Sequence, residues 1–284
     1  MEEIEIMEEI ELDDKEQDQK AVELFELPED LKYVLEMKDC SNFNEDKYYL
    51  TQDMEGIFKD IMALRTTISE LHQMGLGYLN STLLHGVPGT GKTFFAEYCA
   101  YKFRLPFVKI NFAEILTGGV LGETSKTLVK VFRFIADHEC IFCLDEIDCI
   151  AIGRGKESNA TGGELSRITI TLMQELDYYK DHQNKSIIIG CTNRRDLLDA
   201  ALLSRFSIDH EVKALTVNDK KRYMAGFLET YGIDYDKEEV KAYCDHNPQL
   251  TQRNVEQDMI RCIANYIKDG KKEYHLKHYE ILES

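Results

Sequence analysis

The chain has 284 residues, a hydrophobic fraction of 43% and a net charge of −18 at pH 7. This length accommodates one large domain or two smaller ones with an ordinary buried core. Residues 1–30 hold 14 acidic and two basic side chains, so most of the negative charge lies at the N-terminus. Proteins that bind nucleic acid use clustered Lys and Arg to displace counterions. The sequence has no such cluster, and nucleic acid is therefore not expected to be a direct partner.

No segment approaches the roughly 18 consecutive apolar residues of a membrane-spanning helix, and no basic stretch precedes an apolar run as in a secretion signal. The eight cysteines are scattered, and several lie in apolar patterns typical of reduced core residues. Cys140 and Cys143 form a C-x-x-C pair, but residues three apart on a strand point to opposite faces. We therefore expect structural cysteines in a cytoplasmic protein without a membrane segment.

Two segments precede the predicted core. Residues 1–30 form an acidic arm whose composition is typical of disordered chains. Four aliphatic residues lie at intervals in its acidic run: Ile4, Ile6, Ile10 and Leu12. An alternative is therefore that the arm docks on a basic groove of a partner or neighbouring subunit. Residues 31–52 are a short aromatic lead-in, and helical spacing of apolar residues then predicts one long amphipathic helix from Asp53 to Met74.

Apolar runs and helical patterns alternate through residues 53–215. The predicted strands are 81–85, 105–110, 140–144 and 186–191. Helical patterns are centred on 94–100, 123–138 and 164–179. Continuous apolar strands separated by helices predict an α/β domain, a parallel sheet flanked by helices with right-handed crossovers. Residues 216–284 show helical patterns alone, which predicts a small helical lid domain.

The strongest motif is Gly86-Val-Pro-Gly-Thr-Gly-Lys-Thr93, which matches the phosphate-loop pattern G-x-x-x-x-G-K-[ST]. Glycines let backbone N–H groups curl around phosphate oxygens, and the helix that follows offers free N–H groups and its positive dipole end. Lys92 supplies a positive charge and Thr93 a hydroxyl for Mg²⁺. The residues expected to bind nucleotide are Gly86, Pro88, Gly89, Thr90, Gly91, Lys92, Thr93 and Phe94.

Polar residues follow two of the predicted strands. Asp145 and Glu146 come directly after the strand at 140–144, at the edge of the sheet where the phosphate loop also lies. In phosphate-loop ATPases one acidic residue helps hold Mg²⁺, and a second group orients or deprotonates the attacking water. We assign Asp145 to the metal, together with Thr93, and Glu146 to the water. Asn193 follows the next strand and is a candidate for aligning the same water.

Three segments taken together resemble the AAA ATPases: 86–93, 144–148 and 191–206. The resemblance covers about residues 50–270 and lies closest to the branch of the protein-remodelling unfoldases and membrane-bound metalloproteases. It implies a P-loop NTPase fold with a lid, and ATP and Mg²⁺ as cofactors. It also implies that Asn193 is a sensor-1 residue, Arg205 an arginine finger for the next subunit, and Arg253 a sensor-2 residue that binds nucleotide. A finger that acts in trans requires a ring, which the resemblance suggests is a homo-hexamer.

The sequence departs from the family pattern at three points. The segment from Leu203 to Phe206 is shortened and keeps one arginine, Arg205, where the family often has two separated by Pro-Gly. Val120-Leu121-Gly122 occupies the place of a pore loop that begins with an aromatic residue in the unfoldases. No His-Glu-x-x-His motif occurs, so any proteolysis must belong to another polypeptide.

The sequence therefore predicts an AAA-type ATPase that hydrolyses ATP to ADP and phosphate and couples the cycle to remodelling of a protein partner. An alternative is a nucleotide-gated assembly or regulatory module with slow turnover. The missing pore aromatic and the single arginine favour this module, whereas Glu146 and Asn193 argue against it, because a structural ATP site needs no water-activating carboxylate. A DNA-associated ATPase of the loader type is a third possibility, which the acidic charge disfavours.

Overall fold

The computed structural model describes residues 21–117, 123–150, 160–182, 185–270 and 274–276. Two predictions made above fall outside these ranges. They concern most of the acidic arm, residues 1–20, and the pore-loop position at Val120-Leu121-Gly122. The described part contains one sheet, helices on both of its faces, and a separate group of helices at the C-terminal end.

The sheet is built from six described strands: β1 (Leu35–Lys38), β2 (Ser81–His85), β3 (Phe107–Ile110), β4 (Ile141–Leu144), β5 (Ile187–Thr192) and β6 (Ile208–Glu211). Their order across the sheet is β1-β3-β4-β5-β2-β6. All neighbouring pairs are parallel except β1, which runs antiparallel to β3 at one edge. Parallel strands require crossover connections, and the helices between them supply these. The predicted fold class, a parallel α/β sheet flanked by helices, is confirmed.

The two edge strands have no counterpart among the predicted strands. β1 lies within the lead-in at 31–52, and β6 reads Ile-Asp-His-Glu with every side chain at least partly exposed. Edge strands are covered less completely than central ones, so they lack the continuous apolar run by which β2, β4 and β5 were found. The sheet is therefore wider than predicted and carries one antiparallel edge.

The described helices are α1 (Gln52–Gln73), α2 (Lys92–Phe103), α3 (Phe112–Thr117), α4 (Glu123–Ala136), α5 (Ala160–Asp181), α6 (Ala200–Leu203), α7 (Val217–Thr230), α8 (Lys237–His246) and α9 (Gln252–Lys268). On one face of the sheet, α4 and α5 contribute buried residues such as Leu128, Phe132 and Leu172 to a single apolar cluster. α1 and α2 cover the other face. Among the described residues, none of the helices combines the length and apolar character that crossing a membrane requires.

The two faces separate the cysteines of the C-x-x-C pair. Cys140 packs in the cluster under α4 and α5, whereas Cys143 packs in the cluster under α1 and α2. The two thiols therefore point to opposite sides of the sheet, as the alternation of side chains along a strand requires. Both are fully buried, which is how cysteines behave as small apolar core residues.

A third apolar cluster belongs to α7, α8 and α9, with Met224, Cys244 and Met259 fully buried at its centre. Its members start at Leu215, which places a separate core where the lid domain is predicted. The boundary between residues 215 and 216 stays a prediction. α9 begins with a capping box. The side chain of Thr251 accepts a hydrogen bond from the backbone N–H of Asn254, and the side chain of Asn254 accepts one from the backbone N–H of Thr251.

Candidate nucleotide-binding site

The phosphate loop connects the end of β2 to the start of α2. Gly86 has φ of 145°, and a Cβ atom there would lie 2.4 Å from the carbonyl oxygen of Val212, so only glycine fits. Helix α2 begins at Lys92, directly after the loop. The N–H groups of its first residues have no acceptor within the helix, and the positive end of the helix dipole lies at the same place. The loop and helix therefore form the anion-binding arrangement that the motif predicts.

Lys92 lies across the loop that carries it. Its side chain is buried, and Nζ donates to the carbonyl oxygens of Gly86 (2.8 Å) and Val87 (3.0 Å). The pKa of Lys92 is lowered from its usual value because the side chain is buried, and the nearby Cys191, Asp145 and Asp148 oppose this shift only in part. A largely desolvated ammonium group attracts an anion strongly because little water screens it. The site therefore favours a phosphate group beside Lys92.

Thr93 and Asp145 meet across the gap between α2 and β4. The Thr93 hydroxyl lies 3.2 Å from Oδ1 and 3.3 Å from Oδ2 of Asp145. The backbone N–H of Glu146 donates to the same Oδ1 at 3.1 Å and fixes the carboxylate. Mg²⁺ is bound in proteins by one or two such oxygen ligands together with substrate phosphates and water. The donor set of Thr93 and Asp145 therefore fits Mg²⁺ next to the phosphate loop.

Glu146 has a backbone conformation that is unusual for its residue type. Its φ is +51°, in the left-handed region, and its side chain is exposed on the wall of the cavity. This conformation costs a residue with a side chain about 1–2 kcal/mol. Strained residues persist where the surrounding structure holds them, and they cluster at functional sites. The backbone strain at Glu146 thus marks the residue that the sequence assigns to the attacking water.

One cavity of about 270 Å³ brings most of the predicted site residues together. The predicted residues that line it are Pro88, Gly89, Gly91, Lys92, Thr93, Phe94, Asp145, Glu146, Asn193 and Arg253. Gly86 lies at the root of the loop, and Thr90 closes the loop by donating its hydroxyl to the carbonyl oxygen of Val87 at 3.1 Å. The individual roles assigned to these residues stay predictions.

Arg205 does not line this cavity. Its guanidinium group donates to Asp177 on α5 at 2.9 Å and to the carbonyl oxygen of Ala201, and the side chain is partly exposed. Within one chain the structure therefore keeps Arg205 away from the nucleotide site, whereas the prediction places it at the site of the next subunit. A role in trans stays a prediction.

The first turn of α9 belongs to the site and ties the lid to the phosphate loop. The backbone N–H of Arg253 donates to the carbonyl oxygen of Gly89 at 3.2 Å. A Cβ atom on Gly89, where φ is +82°, would lie 2.7 Å from Oγ1 of Thr251. Gln252 and Glu256 line the cavity beside Arg253. The lid therefore rests directly on the loop that would hold the phosphates.

Six residues that line the cavity are absent from the predicted site: Lys47, Glu97, Cys191, Thr192, Gln252 and Glu256. Glu256 could have been predicted from the sequence, because it lies three residues after Arg253 on the same helical face. Lys47 ends a short 3₁₀-helix in the lead-in (Glu45–Lys47), and no motif marks it.

A second, larger cavity of about 610 Å³ lies between the lead-in, the segment after β6 and α7, and it shares Gln252 with the first.

The loop at the helix N-terminus, with a desolvated lysine and a paired threonine and aspartate, defines a phosphate-loop nucleotide-binding protein. Comparison with known families makes this more specific. The model of the ATPase family associated with various cellular activities (AAA) matches residues 82–214, a range that contains the loop, Asp145, Glu146 and Asn193. Residues 82–214 therefore form an AAA ATPase domain, as the three sequence motifs indicated.

Curated relatives agree with this assignment. The chain is 33% identical to the peroxisomal ATPase pex6 of Schizosaccharomyces pombe over 204 residues, which are 69% of the chain and 21% of that protein. It is 31% identical to a 26S proteasome regulatory subunit 8 homolog of Encephalitozoon cuniculi over 166 residues, 58% of the chain and 42% of the relative. A 26S proteasome regulatory subunit 10B homolog A of Arabidopsis thaliana is 31% identical over 171 residues, with the same two shares. The chain thus spans less than half the length of these relatives.

Proposed function

We propose that this protein hydrolyses ATP to ADP and phosphate with the help of Mg²⁺, and that it uses the cycle to remodel a protein partner. The observation that carries the proposal is the grouping of four side chains in one cavity. Lys92, Thr93 and Asp145 supply a phosphate and metal site, and Glu146 lies next to Asp145 on the same wall. A site that only held nucleotide would need no carboxylate at the last of these positions.

The residues divide the chemistry between them. The loop N–H groups and Lys92 bind the phosphates, while Mg²⁺ held near Thr93 and Asp145 supplies charge neutralisation on the phosphate oxygens. Glu146 accepts a proton from the water that attacks the γ-phosphorus, and Asn193 orients that water. The bond from the γ-phosphorus to the bridging oxygen breaks, and ADP leaves with that oxygen. The larger cavity next to Thr90 and Gln252 has room for the base and ribose.

The contact between α9 and the loop supports coupling of the nucleotide state to lid position. Arg253 lines the cavity, and its backbone N–H donates to the carbonyl oxygen of Gly89, so this residue connects the lid to the nucleotide-binding loop. Binding of the γ-phosphate would draw the Arg253 guanidinium inward and fix the lid. Loss of that phosphate would release the lid, and such changes between a fixed and a mobile segment underlie many nucleotide-dependent switches.

Assembly and partner belong to the same proposal. We propose a homo-oligomeric ring, a hexamer by family likeness, in which Arg205 of one subunit faces the γ-phosphate of the next. The names of the relatives, a peroxisomal ATPase and proteasome regulatory subunits, are compatible with work on protein substrates. All eight cysteines are free, which is compatible with the reducing cytoplasm predicted above.

A nucleotide-gated module with slow turnover is the second candidate, and one observation favours it. Arg205 is held within its own chain by Asp177 and by the carbonyl oxygen of Ala201. If the single arginine of this segment keeps those bonds in the assembled protein, it would not reach the neighbouring phosphate. Turnover would then stay slow while ATP still held the subunits together.

Binding and turnover measured side by side separate the two candidates. We would measure ATP affinity with a fluorescent ATP analogue and phosphate release on wild type, Lys92→Ala and Glu146→Gln. The ATPase proposal expects turnover in wild type, loss of binding in Lys92→Ala, and intact binding with turnover reduced about 100-fold or more in Glu146→Gln. Tight binding with a wild-type rate no higher than that of Glu146→Gln would establish the slow module instead.

A further inference from the structure

A cluster of three polar side chains joins two strands and the segment after a third strand beside the nucleotide site. Arg195 begins a short 3₁₀-helix (Arg195–Leu197) two residues after Asn193, and its Nε donates to Oδ2 of Asp209 at 2.9 Å and to Oδ1 at 3.1 Å. Nη2 of the same guanidinium donates to Oδ2 as well. His85 Nε2 lies 3.3 Å from Oδ1 of the same carboxylate. We call Arg195, Asp209 and His85 the β6 anchor.

The register of the sheet explains why these residues meet. β2 lies between β5 and β6, and Leu83 of β2 is the partner of Asp209 in β6. His85 is two residues beyond Leu83, so its side chain lies on the same face. β5 ends at Thr192, opposite His85, and the chain then turns through Asn193 to Arg195. The anchor therefore joins the loop after β5 to the strand that carries the phosphate loop.

A second polar contact fixes the other side of Asn193. The hydroxyl of Thr192 donates to Oδ1 of Asp148 at 2.6 Å, and the backbone N–H of Arg194 donates to that same hydroxyl at 2.9 Å. Asp148 follows Asp145 and Glu146 in the chain. Asn193 thus lies between a contact to the segment that carries the catalytic carboxylate and a contact to β6.

The root of the phosphate loop is rigidly attached to β6 as well. The N–H of Val212 donates to the carbonyl oxygen of His85 at 2.7 Å, and Gly86 packs against the carbonyl oxygen of Val212. The Arg195–Asp209 pair therefore also fixes the distance between Asn193 and the phosphate loop. A bidentate arginine–carboxylate pair restricts orientation as well as distance.

We infer that Arg195 and Asp209, supported by His85, are positioning residues that set the place of Asn193 relative to the phosphates. This inference rests on the proposed function, in which Asn193 orients the attacking water. Misplacement of such a group by about 1 Å is enough to reduce turnover by orders of magnitude. The anchor touches neither the loop N–H groups nor Lys92, so its loss leaves ATP affinity intact.

The experiment compares Asp209→Asn, Arg195→Gln and their double variant with two references. Asn193→Ala reports the effect of losing the positioned side chain. Asp196→Asn is the matched control, because Asp196 pairs with Arg194 in the same turn but does not reach β6. For each protein we would measure kcat, the Kd of a fluorescent ATP analogue, and hydrogen exchange of the Leu197 and Leu198 amides, which bond within this turn.

The inference expects kcat to fall about 10-fold in Asp209→Asn and Arg195→Gln, with Kd changed less than about 2-fold. The double variant falls no further, because both changes break one contact. Arg195→Lys keeps the charge but loses the planar guanidinium group that bonds both carboxylate oxygens, so its kcat lies between those of Arg195→Gln and wild type. Exchange at Leu197 and Leu198 becomes faster in the anchor variants and stays at the wild-type rate in Asp196→Asn.

Three results would overturn the inference. The anchor variants could keep the wild-type kcat while Asn193→Ala loses it, which would leave the proposed function standing. They could lose kcat and ATP binding together with thermal stability, which would make the anchor a folding element. If wild type turned over no faster than Glu146→Gln, the proposed function itself would fail and the positioning role with it, although faster exchange at Leu197 and Leu198 would still report the mechanical link.

Discussion

The Thr93 hydroxyl lies 3.2 Å from the carboxylate of Asp145, which joins the first turn of α2 to the end of β4. The two residues come from different motifs and meet because parallel strands bring their carboxyl ends to one edge of the sheet. Mg²⁺ is usually held by one or two carboxylates together with substrate phosphates and water, so this pair beside the phosphate loop is where we propose that the metal binds.

The first prediction concerns the metal. Asp145→Asn and Thr93→Val should each raise the Mg²⁺ concentration for half-maximal turnover about 10-fold or more, because each removes an oxygen that fits the metal or orients its ligands. The measurement is a Mg²⁺ titration of phosphate release at saturating ATP. Thr230→Val on α7 is the control, since the Thr230 hydroxyl bonds the carbonyl oxygen of Gly226, away from the site. An unchanged titration midpoint in Asp145→Asn would show that the metal lies elsewhere.

The second prediction concerns the strained backbone at Glu146. Its φ of +51° suits glycine better than any residue with a Cβ atom. Glu146→Gly should therefore be more stable to urea than Glu146→Ala by about 1 kcal/mol, since only the alanine variant keeps the strain. Both variants should lose turnover equally. If alanine proved as stable as glycine at this position, the left-handed conformation would not be strained in solution.

The third prediction concerns Arg205 and the ring. Arg205→Ala should lower turnover of assembled protein about 100-fold or more, as expected for an arginine that stabilises transferred phosphate. Asp177→Asn, which removes the partner of Arg205 inside the chain, should not lower it. Light scattering must show that each variant still assembles.

Mixing two inactive variants tests the same point more directly. An equal mixture of Arg205→Ala and Glu146→Gln subunits places an intact Glu146 beside an intact Arg205 at about a quarter of the interfaces in a ring. Turnover should recover to roughly that fraction of wild type. No recovery, although the mixed rings form, would mean that Arg205 does not act on a neighbouring site.

The fourth prediction concerns the lid. Gly89→Ala should weaken ATP binding and loosen the lid, because the added Cβ atom would meet Thr251 at 2.7 Å and φ is +82°. The matched control is Gly226→Ala on α7, where an added Cβ atom meets nothing within 4 Å. That control should be neutral or slightly stabilising, since alanine favours a helix by about 1 kcal/mol over glycine. Equal ATP affinity in Gly89→Ala and wild type would contradict contact between the lid and the loop.

Much of the site could be predicted because its residues follow fixed rules of sequence. The phosphate loop has a fixed spacing, and Asp145, Glu146 and Asn193 each follow an apolar strand whose end must lie at the same edge of the sheet. Lys47 has no such marker, since it comes from an irregular segment that packs beside the site only in the folded chain.

The β6 anchor could not be found for a related reason. Its members lie at positions 85, 195 and 209, and their contact depends on the pairing of β2 with β6. β6 has partly exposed side chains throughout and no apolar run, so the sequence gives no sign of the strand. Without the strand, the register that places Asp209 beside His85 is unknown. Apolar patterns in a sequence therefore cannot predict contacts that depend on an edge strand of this kind.

The central claim is that the site hydrolyses ATP between neighbouring subunits. Its most direct test is ATP turnover per subunit measured against protein concentration, with mass followed by light scattering and Glu146→Gln as the blank. The account predicts that the rate per subunit rises as a large oligomer forms and stays well above the blank. A rate that remains at the level of Glu146→Gln at every concentration, while ATP is bound and the oligomer forms, would contradict it.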